Sequence, residues 1–150
     1  MQEADNIEAR RVILRAWQND DFRSQLLRDP RGALKELDID VPAHLSLAVY
    51  DNTDATHHMV ICTPCSCYPS FLGAAPHYWK DSEYKAAILR DPAAWLRQMG
   101  TDLGPEESLQ VVDTDINSRA FVIPRKPDGE VTEEVAERVV TATSLVGHSR

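Results

Sequence analysis

Asp20-Asp21-Phe22-Arg23-Ser24-Gln25-Leu26-Leu27-Arg28-Asp29-Pro30 comes back at an offset of 62 as Ser82-Glu83-Tyr84-Lys85-Ala86-Ala87-Ile88-Leu89-Arg90-Asp91-Pro92. Arg-Asp-Pro stands at the end of both stretches. Phe22 matches Tyr84, Leu26-Leu27 matches Ile88-Leu89, and further on Leu34 matches Leu96. In each copy a carboxylate sits just ahead of a proline, the pattern of a helix cap followed by a first-turn residue. The offset persists: Asp51 matches Asp113, and Val60-Ile61 matches Val122-Ile123. The expectation is an α+β fold built from a duplicated helix-helix-strand-strand unit, over residues about 20–61 and 82–123, in a layered α/β/β/α-like arrangement. Short slips in register are expected between the matched blocks, where loops tolerate them.

Local signals fill in the elements. Ala9, Val12, Ile13, Ala16 and Trp17 follow helical spacing ahead of the first copy. Gly100 is a stop signal for the second copy's helix. Leu45, Leu47 and Val49 alternate with Ser46, Ala48 and Tyr50, as in a half-buried strand. Asp51-Asn52-Thr53-Asp54 reads as a turn, and His58 to Ile61 as the strand that delivers the chain to Cys62. Leu109 to Asp113 and Ala120 to Ile123 are the corresponding strands, with Pro124 where the first copy has Cys62. Residues 130–146 read as a C-terminal helix with Val131, Val135, Val139 and Ala142 as its apolar stripe. One domain over residues 1–150 is expected.

The net charge of −8 argues against nucleic acid and suits a basic protein partner. No stretch approaches the length of a membrane span, and the acidic N-terminus is unlike a signal peptide. A cytoplasmic, reducing setting is therefore expected, and disulfides are not. All three cysteines fall in Cys62-Thr63-Pro64-Cys65-Ser66-Cys67. Three close thiolates suit a soft or borderline metal. A structural zinc needs a fourth ligand, for which His57, His58 and His77 are the local candidates. An iron–sulfur cluster normally takes four cysteines.

Val60 through Pro69 resembles the V-C-T/S-L-C-S-C segment of nitrile hydratase alpha subunits. Asp51-Asn52-Thr53, Gly73 through Lys80, Arg119 through Pro127 and Ser144-Leu145-Val146-Gly147 also resemble that family's flanking stretches. The resemblance implies a low-spin cobalt(III) centre, with iron(III) the alternative. Cys62, Cys65 and Cys67 would supply sulfurs, and the backbone amides of Ser66 and Cys67 two nitrogens, leaving one position open. Thr63 stands where the family's cobalt members carry Thr. Pro64 replaces Leu and is harmless there, because its missing N–H is not a ligand. The resemblance further implies a Cys65 sulfinate and a Cys67 sulfenate; the mechanism preferred on that basis has the Cys67 sulfenate oxygen, or a water it orients, attack the nitrile carbon, with the Ser66 side chain either hydrogen-bonding the oxidised cysteines or only capping the loop. It implies a nitrile of the small-molecule class as substrate, one or more beta-type subunits in a hetero-oligomer, and a metallochaperone or activator.

The chain departs from the family at several points. Ser70 stands where a bulky tryptophan is usual, which predicts a reshaped and roomier pocket. Tyr78-Trp79 inverts the usual order, and both are expected to be core aromatics. Lys126 replaces an arginine and cannot reproduce its fork. Arg119 is retained, with a partner surface or a loop carboxylate as its expected contact. The short N-terminal segment suits a smaller or three-subunit assembly. Thiocyanate hydrolase shares the cysteine motif and is the nearest rival. Residues 9–60 also resemble leader peptides of peptide-modifying systems, which are binding modules, and a zinc or redox module remains a third reading.

Overall fold

The computed structural model describes residues 6–62 and 68–149. Helix α1, Ile7–Gln18, buries Ala9, Val12, Ile13, Ala16 and Trp17, the residues whose spacing marked its apolar face. Asn19 ends it and at once caps α2, Asp20–Arg28, by accepting the Phe22 N–H at 3.0 Å. Asp20 and Asp21 lie in the first turn of α2 and Arg28 in the last, both favourable to the helix dipole. Asp29 then caps α3, Pro30–Glu36, accepting the Gly32 N–H at 3.2 Å. Strands β1, Ser46–Asp51, and β2, Thr56–Cys62, follow.

The second half repeats this run. Helix α4, Ser82–Arg90, gives way at Asp91 to α5, Pro92–Gln98. Asp91 accepts the Ala94 N–H at 3.1 Å, the same bond as in the first half moved by 62 residues. Gly100, at φ +95°, closes α5. Strands β3, Ser108–Thr114, and β4, Ser118–Ile123, complete the run. No slip in register separates the halves: each of the four elements starts 62 residues after its counterpart.

Neither half pairs its own strands. β1 runs parallel to β4, with Ser46 opposite Ser118, and β2 runs parallel to β3, with Thr56 opposite Ser108. The two registers are one register seen twice, because adding 62 to Ser46 and Thr56 gives Ser108 and Ser118. The halves are thus related by a local two-fold exchange, and the fold is a mixed α+β structure with two small parallel sheets. Parallel strands buried on both faces need continuous apolar runs. β2 and β4 supply them: Met59 through Cys62 and Ala120 through Ile123 are all buried.

The expected single helix at the C-terminus is in fact two, α6 at Glu133–Val139 and α7 at Ala142–Leu145. Val140 and Thr141 turn extended between them, and Thr141 and Ser144 form a reciprocal capping box that starts α7 afresh. The apolar stripe is displaced accordingly. Ala136 and Val140 are fully buried, while Val131, Val135 and Val139 are only partly covered.

Candidate metal centre

Cys62 is the last residue of β2 and is fully buried. The strand end is held from both sides. Thr114, opposite Cys62 in β3, donates its hydroxyl to the Ile61 carbonyl at 3.0 Å. On the other side the Val60 N–H donates to the Val146 carbonyl at 2.8 Å, and His148 Nε2 lies 2.8 Å from the Val60 carbonyl. A carbonyl can only accept, so this ring nitrogen carries the proton. The chain is again anchored at Tyr68, which is buried and meets the Trp79 ring edge-on at 5.4 Å. Cys65, Ser66 and Cys67, the remaining ligand candidates, lie outside the described residues. What the fold supplies is a short segment with both flanks fixed.

An aromatic cluster adjoins this strand end. Trp79 stacks on Tyr84 at 5.7 Å, and Tyr78 stacks on His148 at 5.7 Å while donating its hydroxyl to His148 Nδ1 at 2.7 Å. Trp79 is a core residue as expected, whereas Tyr78 is half-buried. Burial raises the Tyr84 ionisation above the ordinary tyrosine range, and the charges of Tyr78, Cys62 and Asp113 add to the shift. Trp79 Nε1, Tyr84 Oη and Trp95 Nε1 are buried donors without a hydrogen-bond partner among the described residues.

Ser70 lines a cavity of about 370 Å³, together with Tyr68, His77, Trp79, Lys80 and Arg119. Arg119 also donates to the Ser118 carbonyl at 2.9 Å and to those of Asp115 and Ile116. It thus steadies its own turn, and the expected loop carboxylate is not its partner in these bonds. A larger cavity, about 580 Å³, lies between Arg23, Thr53, Asp54, Arg125 and Lys126. Charged side chains of both signs line it, and neither Cys62 nor Tyr68 borders it.

The histidines proposed for a zinc site are otherwise engaged. His57 Nε2 donates to the Gly147 carbonyl at 2.7 Å, and His58 Nδ1 faces Asn52 Oδ1 at 3.0 Å. His77 borders the cavity and packs edge-on against Tyr78. Among the described residues no group of three His, Cys, Asp or Glu side chains could hold a metal. A buried cysteine at a strand end, first of the three in the Cys62–Cys67 sequence, is donor chemistry that fits a thiolate-bound metal.

The nitrile hydratase alpha chain family model matches residues 1–149. The chain belongs to that family. It is 34% identical over 142 residues to the low-molecular weight cobalt-containing nitrile hydratase subunit alpha of Rhodococcus rhodochrous, covering 93% of this chain and 69% of that one. It is 27% identical over 155 residues to the thiocyanate hydrolase subunit gamma of Thiobacillus thioparus, covering 94% of this chain and 64% of that one. A double mutant of the Fe-type nitrile hydratase from Comamonas testosteroni Ni1 superposes with a TM-score of 0.86 at 30% identity, over 95% of this chain and 71% of that one. Cobalt-containing and Fe-type nitrile hydratases thus both stand among the relatives of this nitrile hydratase alpha-type chain. Among its described residues no helix is long and apolar enough to cross a membrane.

Two features escaped sequence reading. The hydroxyl of Tyr84 had a visible signal, since its match is Phe22 and the two differ by that one group. The docking of His148 had none, because a histidine near a chain end carries no periodicity.

Proposed function

We propose that this chain is the metal-carrying catalytic subunit of a nitrile hydratase-type enzyme, a hydro-lyase that converts a nitrile to its amide. The observation that carries the reading is the Cys-Thr-Pro-Cys-Ser-Cys segment starting at the buried end of β2, in a chain that matches the alpha-chain family over residues 1–149. Cys62, Cys65 and Cys67 would hold the ion through sulfur, and Ser66 and Cys67 through their main-chain nitrogens. Thr63 and the cobalt-containing relatives favour cobalt(III) over iron(III). Bound there, the ion would act as a Lewis acid toward a nitrile.

The chain's own residues do the rest. β2 presents the Cys62 thiol from a strand end that cannot shift without breaking the bonds from Val60 to Val146 and from Thr114 to Ile61. Cys67, carried as a sulfenate, is the proposed nucleophile toward the nitrile carbon, with Cys65 as a sulfinate and Ser66 supporting the oxidised pair. The cavity beside Ser70 offers room for the substrate's side group, and Lys80 and Arg119 edge it with positive charge. The charge of −8 suits a basic beta-type partner in a hetero-oligomer. We place the protein in the cytoplasm and regard residues 1–150 as one domain.

Thiocyanate hydrolysis is the alternative, and the lower identity to the thiocyanate hydrolase subunit, 27% against 34%, favours the nitrile. The test is to purify the chain with its partner, measure metal content and intact mass, and supply each substrate. One cobalt per chain, about 48 Da of added mass for three oxygens, and amide formation from a nitrile are expected. Zinc with unmodified thiols in active protein would sink the assignment, and turnover of thiocyanate alone would move it to the alternative.

A further inference from the structure

The offset of 62 that sets Pro124 against Cys62 continues past it. Arg125, Lys126, Pro127 and Asp128 stand against Thr63, Pro64, Cys65 and Ser66. The second copy of the fold thus has its own segment at the sequence position where the first carries the cysteines. That segment walls the cavity of about 580 Å³, opposite Arg23 of α2 and Asn52, Thr53 and Asp54, which follow β1. β1 and β4 are parallel, with Asp51 opposite Ile123, and the Asn52 N–H donates to the Ile123 carbonyl at 3.1 Å. Both strands therefore end together at this cavity. The carboxyl ends of parallel strands are where open α/β sheets gather loops around ligands.

The polar groups here are held in place but not used up. Arg23 reaches Asp51 through Nη2 alone, at 2.6 Å from each carboxylate oxygen, and its Nε is buried with no acceptor among the described residues. A buried N–H without an acceptor is costly. Thr53 Oγ1 accepts from the Ala55 and Thr56 amides at 3.1 and 3.3 Å, which fixes the turn and leaves its hydroxyl proton to donate. Arg125 donates to Asp54 at 3.1 Å, but Asp54 is 93% exposed, so this pair is weak and readily exchanged. Lys126 has no hydrogen bond or ion pair among the described residues. Along the lining three cations face two carboxylates, Asp54 and Asp128, both exposed to water.

We propose that this cavity is a second ligand site, which binds a small molecule carrying a carboxylate or phosphate group through Arg23, Arg125 and Lys126. Guanidinium forks and an ammonium group are the donors that such oxyanions take. An oxyanion held there offers Arg23 Nε the acceptor it lacks and gives Lys126 its counter-charge. It also ties the loop after β4 to α2. At about 580 Å³ the space is that of a small-molecule site, with room for an organic group besides the anion. No candidate metal ligand borders the cavity, so the inference stands or falls apart from the metal-centre reading.

The experiment is calorimetric titration of the full chain, alone and with its partner, with succinate and with inorganic phosphate, the ionic strength being held constant with sodium chloride. Saturable binding at one site per chain is expected for at least one probe, and the stronger of the two identifies the oxyanion. Arg125→Ala and Lys126→Ala should each weaken it about ten-fold, and Lys126→Arg should retain it. Both side chains are exposed, so these variants should melt with the wild type when no probe is present. Lys80→Ala removes an exposed cation from the other cavity and should bind as the wild type does. Binding of neither probe, or an equal loss in Lys80→Ala, overturns the proposal. Binding to the chain alone that vanishes in the complex also overturns it, since the partner would then occupy this surface. The readout is heat of binding, so neither metal content nor turnover enters the result.

Discussion

His148 has one protonation pattern that satisfies its neighbours. Its Nε2–H donates to Val60, so Nδ1 must accept from Tyr78, and a second proton on the ring would face the Tyr78 hydroxyl. Burial is the main reason its pKa falls to about 4; the Val60 carbonyl opposes the drop and the His57 charge adds to it. The folded pKa lies below that of the unfolded chain, so the unfolded state binds the proton more readily. Stability is then complete above about pH 6.5 and declines as pH falls toward 4, by about 3 kcal/mol from this residue. In His148→Gln the pH dependence of the urea midpoint between pH 6.5 and 4 should be markedly flatter than in wild type. An unchanged slope would mean that the acid sensitivity belongs to carboxylates. At this scale the sequence was most legible where chemistry is local, as in the caps at Asp29 and Asp91. It was least legible where a side chain meets a distant carbonyl, as His148 does.

Elements differ in the same way. α1 to α5 and all four strands could be placed from spacing and punctuation, because each carries its own periodicity and a cap or glycine at its end. The C-terminal region could not. Its valine spacing favours one continuous helix, but Thr141 and Ser144 bond each other's backbone and break it into α6 and α7. That break turns the chain so that residues 146–148 lie along β2, where Val146, Gly147 and His148 bond Val60 and His57. Gly147 makes this approach feasible. It sits at φ +76°, and a Cβ there would strike the His58 carbonyl. Gly147→Ala should therefore cost at least about 2 kcal/mol, seen in the urea midpoint. It should also raise amide exchange at Val60 ahead of global unfolding, since that N–H donates to Val146. Ordinary protection at Val60 would show that the segment holds β2 without its glycine.

Strand pairing is the property of the whole molecule that no local pattern announces. An offset of 62 in the sequence is compatible with two self-contained halves, each with its own sheet, and equally with the exchange found here. What decides it is burial on both faces. β2 and β4 are too apolar to serve as solvent-facing strands, and each gains a parallel partner only by crossing to the other half. The loop that carries the chemistry therefore starts on a strand whose ladder belongs to the opposite half: Cys62 faces Thr114 across the sheet. It follows that neither half should fold alone. A fragment of residues 6–62 leaves β1 and β2 without β4 and β3, with two unpaired edges and an exposed apolar strand. Circular dichroism should report it as largely unfolded, and a fragment of residues 68–149 likewise. Mixing the two should restore helix and sheet signal in one-to-one proportion, because every ladder bond then finds its partner. A folded first fragment would contradict the exchange. It would also revive the view of that half as an independent binding module, since such a module has to hold its shape without β3 and β4.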